Sequence, residues 1–120
     1  MKRIALDTSF LLFAIERKID IEEGIERLVG EPHVFVVPTS VIRELERLAR
    51  SGRRVAPYAS VALKLIEKWR PEIVETDKYA DDWLMEQDIM ATTDLRLARA
   101  ARKKGVRIIS ITKSNKLVMR

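Results

Sequence analysis

The chain has 120 residues, 47% of them hydrophobic, so we expect one folded domain spanning residues 1–120. It contains no cysteine, which excludes disulfides, thiolate metal sites and thiol nucleophiles. A single histidine, His33, argues against a multi-histidine zinc site or a Ser-His-Asp triad. The net charge is +5 at pH 7, and it is unevenly distributed along the chain.

Residues 95–120 contain nine bases and no acid, whereas residues 1–94 carry a net charge of −4. The nine bases are Arg96, Arg99, Arg102, Lys103, Lys104, Arg107, Lys113, Lys116 and Arg120. An acidic body with a basic end indicates a polyanionic partner. The commoner explanation of such a run of charges is a solvent-exposed helix face.

No apolar run approaches the roughly 18–20 residues of a membrane span. The N-terminal segment reaches Asp7 after only three apolar residues, which is unlike a signal peptide. We therefore expect a cytoplasmic protein without membrane association. One Asn, one Gln and 34% charged residues are typical of proteins from thermophiles.

Predicted strands and helices alternate along the chain. Strands are predicted over 3–6, 34–37, 73–74, 89–92 and 106–111, and helices from residue 8 and over 21–29, 38–49, 57–69, 80–87 and 95–104. This order predicts a three-layer α/β/α sandwich with a parallel sheet of about four to five strands. Such sheets place their sites beyond the carboxyl ends of the strands.

Five acids lie near those strand ends. Asp7 closes the first strand, Asp94 follows strand 89–92, Asp81 and Asp82 open the helix after strand 73–74, and Glu44 lies at the edge of the apolar face of its helix. Clustered carboxylates repel one another unless a cation or protons intervene. Carboxylate oxygens are preferred ligands of Mg²⁺ and Mn²⁺, which activate water and neutralise charge on a phosphoryl group.

Each acid also has a structural explanation. Asp7 and Asp94 are plausible helix caps, and Asp81 and Asp82 would favour the dipole of a helix that begins there. Glu44 is the hardest to explain in this way, because an acid beside an apolar face is costly without a partner. The hydroxyls of Thr8 and Ser9 could likewise orient the carboxylates or a bound water, or simply cap a helix.

Four motifs, in order, resemble those of the PIN-domain nucleases over nearly the whole chain. They are Asp7-Thr8-Ser9 after the first strand, Glu44 within Val41-Ile42-Arg43-Glu44-Leu45, Tyr79-Ala80-Asp81-Asp82, and Ala91-Thr92-Thr93-Asp94 before Leu95. The last two motifs are most similar to the branch related to the small-subunit rRNA-processing nuclease and its archaeal relatives. The VapC toxins share the pattern more loosely.

The resemblance implies a metal-dependent endoribonuclease that cleaves single-stranded RNA with Mg²⁺ or Mn²⁺. The implied catalytic and metal-binding acids are Asp7, Glu44, Asp94 and one of Asp81 and Asp82, with Asp81 favoured. Thr8, Ser9 and Thr92 would orient these acids. Basic residues would hold RNA phosphates, the candidates being Arg96, Arg99, Arg102 and Lys103. The implied partners are a second copy of the chain, and an antitoxin or a ribosome-assembly factor.

Two other functions share these features. One is a non-catalytic PIN domain that binds RNA or the ribosome. The other is a phosphohydrolase acting on small phosphate esters, although the usual Asp-x-Asp pair is missing because position 9 is Ser9.

Only eleven residues separate Asp82 from Asp94, about two helical turns fewer than in similar proteins. This tight connection puts the position of Asp94, and hence activity, at risk. We expect the short helix in this connection to leave Trp83 and neighbouring apolar side chains exposed to solvent. A second copy of the chain could cover them, so we predict a homodimer whose interface includes part of 79–90.

Overall fold

The computed structural model describes residues 1–76, 83 and 86–120. Within them lie six strands and five helices. In chain order these are β1 (Lys2–Leu6), α1 (Thr8–Glu16), α2 (Ile21–Val29), β2 (His33–Pro38), α3 (Thr39–Ala49), α4 (Ala56–Trp69), β3 (Glu72–Val74), β4 (Ile89–Ala91), α5 (Leu95–Lys103), β5 (Arg107–Ile111) and β6 (Leu117–Met119). None of the described helices is long and apolar enough to cross a membrane.

Local sequence explains the helix boundaries best at α2. The Asp20 carboxylate accepts a hydrogen bond from the backbone N–H of Glu23 at 3.1 Å and so caps the first turn. Gly30 follows the last turn with a φ of 66°, a left-handed conformation that glycine adopts without strain. Both signals are explicit in the sequence, and the predicted range 21–29 is confirmed.

The strands form one sheet in the order β3-β2-β1-β4-β5-β6. All neighbouring strands are parallel except β5 and β6, which are antiparallel. The predicted α/β sandwich is confirmed, with one strand more than the expected four to five. The extra strand, β6, follows a tight turn in which Asn115 adopts a φ of 63° and the N–H of Thr112 bonds to the carbonyl of Lys116.

Alternating side chains of the strands pack into two cores, one on each face of the sheet. Helices α1 to α4 cover one face, where Ile4 and Leu6 of β1 lie in the same cluster as Phe10 and Leu45. Helix α5 covers the other, where Ala5 of β1 lies in a second cluster. The other members of that cluster are Val36, Trp83, Met90, Leu97, Ala98, Ala101, Val106 and Ile108. This arrangement gives the three predicted layers.

Trp83 does not need a partner chain to cover it. It is 6% exposed, because it packs within its own chain into the core beneath α5. The expectation that Trp83 forms part of a dimer interface is therefore wrong. The neighbouring apolar residues of the predicted helix 80–87 are Leu84 and Met85, and both lie outside the described residues. The Tyr79-Ala80-Asp81-Asp82 motif lies outside them as well.

Strand register brings the carboxyl ends of β1 and β4 side by side. Leu6 lies opposite Ala91, and the backbone N–H of Asp7 donates to the carbonyl of Ala91 at 3.0 Å. One residue further along, the N–H of Thr92 donates to the carbonyl of Ile109 in β5. Backbone hydrogen bonds alone therefore place the residues that follow β1 next to the residues that follow β4.

Gly24 permits a close approach between α2 and the extra strand. A Cβ atom at this position would lie 2.5 Å from Cδ1 and 3.1 Å from Cγ of the buried Leu117. We expect Gly24→Val to lower the free energy of unfolding by about 1–3 kcal/mol more than the exposed control Glu26→Val, since overpacking a core has that cost. Urea denaturation measures the difference. Equal losses in the two variants would mean that α2 and β6 do not pack this closely.

Candidate active site

Asp7 is a buried carboxylate at the end of β1. Its residue is 4% exposed, and its Oδ2 accepts hydrogen bonds from Ser9 Oγ at 2.5 Å and from Thr92 Oγ1 at 2.8 Å. Asp7 occupies the N-cap position of α1, yet its side chain makes no capping hydrogen bond there. The capping explanation for this acid is therefore wrong, and its carboxylate faces the hydroxyls of the neighbouring strand end.

The two hydroxyls also bind the backbone that leads into α5. Thr92 Oγ1 accepts from the N–H of Asp94 at 3.0 Å, and Ser9 Oγ accepts from the N–H of Thr93 at 3.2 Å. Each hydroxyl thus donates its one proton to Asp7 and accepts a backbone N–H through a lone pair. This network joins the ends of β1 and β4 and sets the path of the chain from β4 to α5.

Asp94 does serve as a helix cap. Its Oδ1 accepts from the backbone N–H groups of Arg96 at 2.9 Å and Leu97 at 3.2 Å. The residue is exposed, and no described hydrogen bond engages its other carboxylate oxygen, Oδ2. The structural explanation for Asp94 is correct, and the cap uses one of its two carboxylate oxygens.

Asp7, Glu44 and Asp94 line one cavity of about 320 Å³, which we call the acid pocket. The remaining residues that line it are Thr8, Ser9, Leu12 and Leu48. Glu44 is half-buried in α3, between the buried apolar residues Val41 and Leu48 and next to Leu45, as its place at the edge of an apolar helix face predicts. Three acids from three separate segments therefore share one cavity.

Thr8 adds an oxygen to the acid pocket. Its residue is 4% exposed, and its Oγ1 is buried without a hydrogen-bond partner among the described residues. A buried hydroxyl without a partner costs about 1–3 kcal/mol, a penalty that a bound water or ion removes. Thr8 thus indicates a polar ligand in the acid pocket.

The donor set suits a hard divalent cation, because carboxylate and hydroxyl oxygens are the ligands that Mg²⁺ and Mn²⁺ prefer. Within residues 1–76, 83 and 86–120, however, no three histidine, cysteine, aspartate or glutamate side chains form a group that could hold a metal ion. The two further predicted ligands, Asp81 and Asp82, lie outside the described residues.

A second cavity, of about 480 Å³, adjoins the acid pocket and shares Asp94 with it. We call it the arginine groove. The residues that line it include Asp94, Leu95, Arg99 and Arg102, together with Phe13 of α1 and Arg120 after β6. Of the four predicted RNA contacts, Arg99 and Arg102 line this groove, whereas Arg96 and Lys103 do not.

Sequence reasoning did not single out Arg120, Leu95 or Phe13 of the arginine groove. The sequence identified Arg120 only as one of the nine bases of residues 95–120. Its position in the groove depends on β6, which the sequence did not predict. Leu95 and Phe13 carried no signal beyond their apolar character. What could have indicated Leu95 is its position directly after Asp94, at the first turn of α5.

A family model described as a PIN like domain matches residues 4–114 of the chain. The chain is 27% identical over 119 residues to Ribonuclease VapC4 of Methanocaldococcus jannaschii, covering 92% of this chain and 91% of that protein. It is also 27% identical over 118 residues to the rRNA-processing protein fcf1 of Schizosaccharomyces pombe, covering 90% of this chain. It spans only 58% of the length of fcf1.

Solved structures give a similar result. The structure of the PIN domain endonuclease Utp24 superposes with a TM-score of 0.74 at 28% sequence identity, covering 96% of this chain and 90% of that one. A domain of a functionally unknown protein from Methanocaldococcus jannaschii superposes with a TM-score of 0.64 at 17% identity, covering 98% and 96% of the two chains. The second likeness is one of fold alone.

Thr92 tests the hydrogen-bond network directly. Thr92→Val keeps the shape of the side chain but removes a donor to the buried Asp7 and an acceptor for the N–H of Asp94. We expect a loss of about 1–3 kcal/mol in the free energy of unfolding, the usual cost of buried polar groups left unpaired. Thr92→Ser keeps the hydroxyl and should lose less. Urea denaturation at neutral pH compares them, and a valine variant as stable as the serine variant would contradict the network.

Proposed function

The chain belongs to the PIN-like domain family, and from this membership we propose that it is a metal-dependent endoribonuclease acting on single-stranded RNA. Two relatives support the reaction class, since one is named a ribonuclease and a structural neighbour is named an endonuclease. The cofactor we propose is Mg²⁺ or Mn²⁺. The observation that carries the proposal is the acid pocket, which is lined by Asp7, Glu44 and Asp94 and by Thr8, whose buried hydroxyl has no hydrogen-bond partner among the described residues.

Asp7, Glu44 and Asp94 would hold the metal, completed by Asp81 or Asp82. Bound there, Mg²⁺ or Mn²⁺ would polarise the scissile phosphate and lower the pKa of water. Ser9 and Thr92 fix the Asp7 carboxylate by donating to its Oδ2, and no described residue donates a hydrogen bond to its Oδ1, which would bind the cation. The first turn of α5 fixes Asp94 through its Oδ1, which leaves Oδ2 for the same purpose.

The proposal assigns no proton transfer to a cysteine or a histidine. The chain has no cysteine, and its one histidine lies on β2 at the amino end of the strand, away from the acid pocket. The protein's contribution is therefore to place carboxylates and to bind the substrate. Rigid placement matters because it is fixed before the substrate arrives and costs nothing during the reaction.

The biological role would follow from the RNA and the partner. A toxin like the VapC proteins would pair with an antitoxin, and an rRNA-processing nuclease would pair with a ribosome-assembly factor. Mapping the RNA ends produced in cells by the chain distinguishes these roles, since cleavage confined to precursor rRNA indicates processing. A chain that binds RNA yet cleaves none of it with either metal would match the non-catalytic alternative.

Asp94→Asn separates the two roles that Asp94 would have. Asparagine caps a helix about as well as aspartate, so stability should hold, while the charge needed for a cation is lost. We expect cleavage of unstructured RNA to fall by about 100-fold or more, because even changes outside the ligand shell cost about 10–100-fold.

The matched control is Asp20→Asn, which makes the same change at the cap of α2, away from the acid pocket. It should cleave like the unaltered chain. EDTA should abolish cleavage by both, and added Mg²⁺ or Mn²⁺ should restore it. Equal activity of the two variants would rule out Asp94 as a metal ligand.

Homodimerisation stays a prediction, now without Trp83 in the interface. Light scattering at micromolar concentrations should give about twice the 13.9 kDa mass of one chain. Trp83→Arg, which places a charge in the core beneath α5, should then unfold the chain and not merely dissociate a dimer. A folded monomeric Trp83→Arg variant would mean that Trp83 is a contact surface after all.

A further inference from the structure

We propose that the arginine groove is the path of the RNA strand on one side of the acid pocket, with phosphates on Arg99, Arg102 and Arg120 and a base against Leu95. This inference rests on the proposed function, because it assigns a position to that same substrate. It also separates the bases of residues 95–120 into those that contact the strand and those that do not, and it places Arg96 and Lys103 among the latter.

A stripe along α5 leads away from the acid pocket. Leu95, Arg99 and Arg102 have the i, i+4, i+7 spacing that places side chains on one face of a helix. At about 1.5 Å per residue, the stripe runs for about 10 Å from the end that Asp94 caps. All three residues line the arginine groove, which begins at the acid that it shares with the acid pocket.

The three arginines of the groove are candidates for binding an anion. No ion pair of Arg99, Arg102 or Arg120 occurs in the part of the chain that the structure describes. Arg120 is held in place by its backbone, which exchanges two hydrogen bonds of 2.8 and 2.9 Å with Ile108 of β5. Three guanidinium groups beside one cavity form a site for an anion with several charges, and guanidinium matches phosphate geometry.

The groove also offers apolar surface next to Asp94 in the sequence. Leu95 is 73% exposed, and half-buried Phe13 of α1 also lines the groove. An exposed leucine needs no explanation by itself. A leucine between a candidate metal ligand and two arginines, however, provides contact for an unpaired base. A base within a duplex cannot turn toward it, which favours a single strand.

The matched pair of variants lies on the same helix. Arg96 and Lys103 point about 80–100° away from Leu95, at 100° per residue, and do not line the groove. We would compare Arg99→Gln/Arg102→Gln with Arg96→Gln/Lys103→Gln, which remove the same charge. Glutamine is about as good a helix former as arginine, so both should fold, which circular dichroism checks.

Binding of a labelled unstructured RNA is measured by anisotropy in EDTA, where metal-dependent cleavage stops. The Arg99/Arg102 pair should lose about tenfold in affinity or more, and its log–log salt slope should fall by about 1.4, or about 0.7 for each phosphate that is no longer neutralised. The Arg96/Lys103 pair should lose less than about threefold. Equal losses in both pairs would overturn the proposal, because the effect would then be one of net charge.

Leu95 gives an independent measurement. Leu95→Ser should weaken binding of the single strand several-fold with an unchanged salt slope, because it removes apolar surface and no charge. Val61→Ser, at an exposed valine of α4, is the control and should bind normally. A Leu95→Ser variant that binds like this control would overturn the base contact.

Two outcomes separate this proposal from the proposed function. If the variants behave as expected and the unaltered chain cleaves no RNA with Mg²⁺ or Mn²⁺, the groove is an RNA site on a non-catalytic protein. If the chain cleaves RNA but both arginine pairs bind alike, the strand runs elsewhere. Tight binding of an acidic amphipathic peptide that RNA cannot displace would assign the groove to a protein partner, and would also overturn the proposal.

Discussion

A carboxylate that is almost fully buried at a strand end must be surrounded by hydrogen-bond donors, because an unpaired buried charge is among the costliest features a fold can contain. Asp7 meets this requirement with donors from both sides, Ser9 two residues later and Thr92 on the neighbouring strand. The same hydroxyls accept the N–H groups of Thr93 and Asp94. The hydroxyls that satisfy the Asp7 carboxylate therefore also fix the backbone position of Asp94.

This linkage gives Asp94 two roles in one side chain. One carboxylate oxygen completes the first turn of α5, and the same residue lines both cavities. A helix cap restricts rotation of the carboxylate, so a ligand would meet an oxygen already in place. A structural explanation and a functional one are therefore not alternatives at this residue, although sequence reasoning had to weigh them as such.

Much of the fold could be predicted because the chain signals its boundaries locally. Strand β1 is a short apolar run that ends at an acid, and α2 has both an Asp cap and a terminal glycine. The resemblance to PIN-domain nucleases, read from four short motifs, is confirmed by the family match over residues 4–114. The meeting of Asp7 and Asp94 followed from one rule, that parallel strands end at the same edge of a sheet.

Other features could not be predicted, for physical reasons. Strand β6 has three residues and is stabilised by pairing with β5 and by contact of Leu117 with α2, neither of which is a local signal. The groove depends on that strand, since Arg120 follows it. Trp83 was expected to lack cover because only the short length of its predicted helix was considered. The core beneath α5 includes side chains from β1, β2, β4 and β5, and these cover it.

The hydrogen bonds between residues 7 and 92 also have a consequence for the order of events during protein synthesis. A ribosome adds residue 7 before residue 92, and 84 residues lie between them. Until β4 has emerged and paired with β1, Asp7 has no hydroxyl of Thr92 to hold it, and the N-terminus of α5 does not yet exist to orient Asp94. A nascent chain therefore cannot assemble the acid pocket while it is still short. The acid pocket thus depends on the pairing of two strands that are distant in sequence, which is a slow kind of contact to form.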